Sequence, residues 1–132
     1  MTGAHYAIVF DGGALGNPGR GYGSYHFTAQ DGSVSHERLE YGDRVTNNQA
    51  EYRTLIEALE ALSRRLGDDR SATTLQIRGD SQLVINQVLG RWKVKHPELR
   101  PLHQRAVQLI AAFGSVDLEW HPRAMSVRLL GH

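Results

Sequence analysis

The sequence predicts an α/β fold, a mixed sheet with helices packed against it. Three observations predict it. The first forty residues hold short strand-type runs separated by turn residues. The middle of the chain carries a long apolar stripe at helical spacing. After that stripe, short apolar runs alternate with further helical segments. The predicted order is β-β-β-α-β-α-α-β. A strand that follows a helix returns by a crossover, so the later strands run parallel to the first.

Taken in order, Tyr6 to Phe10 is a nearly continuous apolar run and reads as a buried central strand. Gly12 to Gly21, with five glycines, Asn17 and Pro18, reads as a turn by composition. Tyr22 to Thr28 alternates aromatic and small residues, a second strand. Gln30 to Ser33 contains an Asp-Gly pair, a good hairpin turn. Val34 to Tyr41 is then a third strand, polar enough to lie at an edge.

Thr46 to Asn48 offer N-cap side chains. Leu55, Leu59, Leu62 and Leu66 follow at spacings of 4, 3 and 4, and Gly67 ends that helix. The segment from Asp68 to Thr74 reads as a polar loop, and Leu75 to Ile77 as a short strand. Asp80 or Ser81 caps a second helix whose Leu83, Val84, Val88 and Leu89 face the core, with Gly90 in the C-terminal capping position. Arg91 to His96 is basic and aromatic. Pro97 to Phe113 forms a third helix with Pro101 near its start, and Val116 to Trp120 a last strand.

Whole-chain properties bound the function. The 132 residues suggest one domain, spanning 1–132, large enough for a real core. Hydrophobic residues at 40% and charged residues at 22% are ordinary for a globular protein. A net charge of +1 gives no global attraction for nucleic acid, so any binding face must be a local patch. With no cysteine there is no disulfide, thiolate metal site or Cys nucleophile. The N-terminal residues do not read as a signal peptide, and no apolar stretch approaches the roughly 20 residues that span a bilayer. The expected location is the cytoplasm, with no obligate protein partner.

Three acids sit in distinctive surroundings. Asp11 ends the first strand, in FDGGALGNPGRGYGSY (Phe10 to Tyr25). Glu51 lies in the first turns of the long helix, in TNNQAEYRTLIEALEAL (Thr46 to Leu62). Asp80 stands where a strand gives way to a helix, in LQIRGDSQLVINQVLG (Leu75 to Gly90). Taken singly, the three read as a turn residue, a helix-dipole partner and an N-cap. Together they offer three oxygen ligands for a hard divalent cation.

In this order, these segments resemble type 1 ribonuclease H from about Tyr6 to Arg123. The resemblance implies a five-stranded mixed sheet of order 3-2-1-4-5 flanked by helices, with Asp11 and Asp80 on neighbouring strands. It implies an endonuclease that cuts the RNA strand of RNA/DNA hybrids with two Mg²⁺ or Mn²⁺ ions, leaving 5′-phosphate and 3′-hydroxyl ends. Asp11 would bridge the ions, and Glu51 and Asp80 would serve mainly the leaving-group ion. Asn17, Asn47, Asn48 and Gln82 resemble residues lining the hybrid's minor groove, where amides read 2′-hydroxyls and base edges. Thr46 resembles a residue that grips a DNA phosphate. Arg91, Trp92, Lys93 and Lys95 suit backbone contact and stacking, or equally a core Trp beside solvated lysines.

The family's pattern departs after the last strand, where it reads W-V-P-R-E-x-N-x-x-A-D. Trp120, Pro122 and Arg123 fit. Ala124 replaces the Glu, Ser126 the Asn, and Leu129 and Leu130 the Ala-Asp pair that carries a fourth acid. The family's C-terminal helix is expected to lack residues to form from. Glu119 is a candidate substitute ligand or a solvent-facing strand charge. His132 is a second candidate, and His121 a candidate proton shuttle or an ordinary histidine. The competing functional readings are a hybrid-binding module that has lost catalysis, and a nuclease of the same fold with another substrate, such as a 3′-5′ exonuclease.

Overall fold

The structure is a computed structural model that describes residues 4–131. The chain folds as β1 (His5–Leu15), β2 (Gly19–Ala29), β3 (Val34–Val45), α1 (Asn47–Leu66), β4 (Thr74–Gly79), α2 (Gln82–Val88), α3 (Arg100–Ala111), β5 (Ser115–Trp120) and α4 (Arg123–Leu130). The five strands form one sheet in the order β3-β2-β1-β4-β5. β1 and β2, and β2 and β3, pair antiparallel. β4 runs parallel to both β1 and β5, as the crossovers through α1 and through α2 and α3 require.

The sheet's inner face is covered by α1. Ala50, Tyr52, Leu55, Ala58, Leu59 and Leu62 of α1 are fully buried, against Ile8 and Phe10 of β1 and Leu75 and Ile77 of β4. Their burial is the main stabilising term, about 25 cal/mol per Å² of apolar surface removed from water. Tyr52 also donates its hydroxyl to Gln87 Oε1 at 2.6 Å, tying α1 to α2. No helix among the described residues is long and apolar enough to cross a membrane.

Several elements differ from the sequence expectation. The Gly12 to Gly21 stretch is mostly strand: β1 runs on to Leu15 and β2 begins at Gly19. Its glycines serve close approach as well as turning. A Cβ at Gly12 would lie 2.6 Å from the backbone carbon and oxygen of Ala50 in α1. β3 likewise extends to Val45. The polar loop after α1 is wound into a 3₁₀ turn, Gly67–Ala72. The third helix is split into a 3₁₀ turn, Pro97–Leu99, and α3. Ser81, not Asp80, caps α2, accepting from the Val84 N–H at 3.2 Å. Leu89 lies beyond the last residue of α2 and is 40% exposed, so it does not face the core; Ile85 does. Gly90 adopts φ +79°, as a residue past a helix end does. A C-terminal helix does form, α4, in the residues that follow Pro122. Proline at the N-cap suffices to start it, and it packs on β1 and β2, burying Ser126 and Leu130.

Candidate active site

The parallel ladder between β1 and β4 ends at the pair Phe10 and Gly79. Asp11 and Asp80 are the next residues on the two strands, so topology alone puts them side by side. Glu51 reaches them from α1. A capping box starts that helix: Thr46 Oγ1 accepts from the Gln49 N–H at 3.1 Å, and Gln49 Oε1 accepts from the Thr46 N–H at 2.9 Å. The close approach at Gly12 then lets Glu51 Oε1 accept the Gly12 N–H at 3.0 Å. One carboxylate oxygen from each of Asp11, Glu51 and Asp80 lies within 4.8 Å of the others. Asp11 and Glu51 are buried, and the Asp80 side chain is 7% exposed.

Crowded buried carboxylates resist ionisation. Burial pushes the Glu51 carboxyl well above its ordinary value, and the nearby Asp11 and Asp80 push it further. Asp80 is pushed up to about 6, by burial first and then by Asp11, against the pull of Arg123 and a hydrogen bond from Ser126. Arg123 Nη1 stands 3.7 Å from Asp80 Oδ2, but its side chain is 64% exposed, so water screens much of its charge. Glu51 Oε2 is buried with no hydrogen-bond partner. A buried acceptor on a member of a three-carboxylate cluster suits a divalent cation, and an all-oxygen donor set suits Mg²⁺ or Mn²⁺.

The last strand and α4 form the far wall. His121 is buried, with Nε2 2.7 Å from Ser126 Oγ. Burial lowers its pKa, with Arg78 adding to the effect and Asp11 opposing it, so it is neutral at pH 7. Arg123 and Ser126, three residues apart on α4, are the residues of that helix that act on Asp80. Leu130, where the family's pattern carries its acid, is 1% exposed one turn beyond Ser126. Glu119 lies outside the cluster: it is 53% exposed and pairs with Arg78 at 3.2 Å. His132 lies outside the described residues.

The candidate substrate residues lie on several elements. Asn17 Oδ1 accepts the Asn47 N–H at 3.1 Å, and Asn47 Oδ1 accepts the Ala14 N–H at 2.8 Å. Both carbonyl ends are thus committed, which leaves the exposed amide NH₂ groups as donors. Thr46 and Asn48 are half-buried at the start of α1, and Gln82 is exposed at the start of α2. Trp92 is 48% exposed, so it is not a core residue. With Lys93, Lys95, His96, Leu83 and Gln87 it lines a cavity of about 380 Å³. Sequence reasoning missed Ser126 and the role of Trp120, whose indole Nε1 donates to the Asp80 carbonyl at 3.0 Å. A tertiary hydrogen bond across 40 residues leaves no local sequence signal.

A mixed sheet in this order, with buried acids meeting where the ladder between its two central parallel strands ends, is of the ribonuclease H-like class. The family model described as reverse transcriptase-like matches residues 10–127. The bifunctional protein Rv2228c of Mycobacterium tuberculosis is 45% identical over 118 residues, 89% of this chain and 31% of its own length. The structure of its N-terminal ribonuclease H domain, fused to maltose-binding protein, superposes with a TM-score of 0.84 at 39% identity, covering 97% of this chain and 91% of that one. Ribonuclease HI of Halobacterium salinarum is 38% identical over 126 residues, 96% of this chain and 61% of its own length. LC11 ribonuclease H1 in complex with an RNA/DNA hybrid superposes with a TM-score of 0.83 at 31% identity, covering 93% of this chain and 89% of that one. The chain belongs to the type 1 ribonuclease H family. It spans about a third of the length of the mycobacterial relative.

Proposed function

We propose that this chain hydrolyses the RNA strand of RNA/DNA hybrids endonucleolytically, leaving 5′-phosphate and 3′-hydroxyl ends. The observation that carries this reading is the cluster of Asp11, Glu51 and Asp80, with ligand oxygens within 4.8 Å of one another, in a chain of this family. A neighbour of the same fold holds an RNA/DNA hybrid, which supports the substrate.

Water adds across the P–O3′ bond: its oxygen joins phosphorus, and O3′ leaves with a proton. Asp11, Glu51 and Asp80 would hold two divalent ions, Mg²⁺ or Mn²⁺, which would supply an activated water, neutralise the phosphoryl group and stabilise the leaving oxygen. The chain's own residues do the rest. The Gly12 N–H fixes the Glu51 carboxylate. The amide donors of Asn17 and Asn47, with Asn48 and Gln82, read the minor groove, where 2′-hydroxyls distinguish RNA from DNA. Thr46 meets a DNA phosphate, and Trp92 and Lys93 meet the strand backbone beyond.

A second reading rests on Leu130. An apolar, buried residue stands where the family's pattern carries its fourth acid. That favours a weakened catalyst, or a module that binds hybrids without cutting them. One gel assay separates the readings, using an end-labelled hybrid in Mg²⁺, in Mn²⁺ and in EDTA. Internal cuts in the RNA strand, stronger in Mn²⁺ than in Mg²⁺ and absent in EDTA, are expected. Binding without cleavage in either metal would establish the module. A ladder shortening from the 3′ end would establish an exonuclease.

A further inference from the structure

Trp120 is the last residue of β5 and pairs with Gly79, the last residue of β4. Its side chain is 44% exposed, so it does little for the core. Its indole Nε1 nevertheless donates to the Asp80 carbonyl at 3.0 Å. Next to it, the His121 N–H donates to the Gly79 carbonyl at 2.9 Å. The end of β5 thus holds two successive carbonyls at the point where β4 stops.

Asp80 occupies the gap between two regular elements. The β1–β4 ladder ends at Gly79, and α2 begins at Gln82 with Ser81 as its cap. The Val84 N–H, the donor one turn into α2, is taken by Ser81 Oγ at 3.2 Å. The backbone at Asp80 is therefore free of a ladder and has not yet entered a helix. Its carboxylate meanwhile belongs to the cluster with Asp11 and Glu51. A link of one residue between two regular elements needs a tether to fix its orientation, and the indole supplies one.

We infer that Trp120 is a positioning residue of the metal site, its indole N–H holding the Asp80 carbonyl so that the carboxylate stays aimed at Asp11 and Glu51. This rests on the reading of the three acids as a metal-holding cluster. A site preorganised by such outer contacts binds its ion more tightly than one that must gather its ligands.

The test is Mn²⁺ titration by calorimetry, without nucleic acid, on four proteins: wild type, Trp120→Phe, Asp80→Asn and Leu109→Ala. Phe keeps a ring and removes the donor. Leu109 is a buried residue of α3 and serves as a destabilised control remote from the acids. Trp120→Phe is expected to weaken Mn²⁺ binding roughly five- to tenfold, the loss of one net hydrogen bond. Leu109→Ala is expected to bind as wild type does, and Asp80→Asn not to bind measurably. In hybrid cleavage, Trp120→Phe should lower kcat at limiting Mn²⁺, leave KM for hybrid unchanged and recover at saturating Mn²⁺. In a Trp92→Phe background, where Trp120 is the remaining tryptophan, its emission should change as Mn²⁺ binds. Wild-type affinity in Trp120→Phe would overturn the inference. Equal weakening in Trp120→Phe and Leu109→Ala would overturn it too, by reducing the effect to lost stability. Equal binding by wild type and Asp80→Asn would remove the metal-site reading itself, and the inference with it.

Discussion

At the scale of single residues, the acids are held where their charges conflict, and that conflict is measurable. The Asp80 carboxyl is pushed up to about 6 from an ordinary 3.8, burial being the first cause and Asp11 the second. Above about pH 6 the folded chain carries the crowded, ionised carboxylate, and the full cost is present. As pH falls through 6, the folded chain takes up a proton that the unfolded chain does not yet bind, so stability rises. Below about pH 4 both states are protonated and the relief is complete. Glu51 acts in the same direction. His26 and His121, whose pKa values burial lowers, act in the opposite one. The Asp80 contribution is therefore read as a difference. In EDTA, wild type should gain stability relative to Asp80→Asn between about pH 7.5 and pH 5, and Mn²⁺ should flatten that gain. A difference that stays constant with pH would show that Asp80 is not under electrostatic load. Asp11→Asn removes a charge from the same cluster. It should abolish cleavage, by at least about a hundredfold as with a lost transition-state stabiliser, while raising the metal-free melting temperature. Wild-type cleavage by Asp11→Asn would refute the assigned role.

Between elements, the site depends on how closely α1 approaches β1. A methyl at Gly12 would meet the Ala50 carbonyl carbon and oxygen at 2.6 Å and the Glu51 nitrogen at 2.8 Å. These are backbone atoms, which no rotamer change can move, so Gly12→Ala must push the helix outward. Overpacking of this kind costs about 1–3 kcal/mol. It also stretches the Gly12–Glu51 hydrogen bond and withdraws Glu51 from Asp11. Gly12→Ala should therefore lower the melting temperature and weaken Mn²⁺ binding more than a core mutant of equal stability does. Paired melting curves with and without Mn²⁺ would check this, and an unchanged metal-induced shift would refute it. The same glycine explains a limit of sequence reading. Five glycines within ten residues read as a turn, yet four lie in strands, because close approach, of Gly12 to α1 and of Gly21 to Val45, is a tertiary demand that composition does not encode. The long stripe of Leu55, Leu59 and Leu62 was legible because helical spacing and burial agree. Leu89 was misread because the helix ends just before it. α4 departs from the expectation that the C-terminal segment lacks residues for a helix: the eight residues Arg123–Leu130 suffice, and none of them breaks one.

For the molecule as a whole, the three acids were legible because the sequence marks where each lies: after the apolar run of β1, near a capped helix start and at a strand-to-helix junction. What encloses them was not. Trp120, Ser126 and Arg123 reach Asp80 from residues 40 or more positions away, and only the parallel crossover brings them there. Substrate binding has the same distributed character. A net charge of +1 gives no long-range pull on a duplex, so affinity must come from exposed cations near the site. Arg91, Lys93 and Lys95 are exposed on the chain following α2. If these three meet phosphates, log K for hybrid binding should fall with log salt at a slope of about −3. Lys93→Ala should reduce that slope by about 1 without changing the preference among duplexes. On the proposed reading, that preference belongs to the amides instead. Asn47→Ala removes the acceptor of the Ala14 N–H and the exposed NH₂ donor together, and should narrow the gap between RNA/DNA and DNA/DNA duplexes. Anisotropy titrations of the Asp11→Asn protein on both duplexes, across a salt series, would measure slope and preference independently. A salt slope untouched by Lys93→Ala would place the phosphate contacts elsewhere on the surface. Equal affinity of the unsubstituted amide surface for both duplexes would mean that 2′-hydroxyls are not read there, leaving hybrid selectivity to arise, if at all, in the cleavage step.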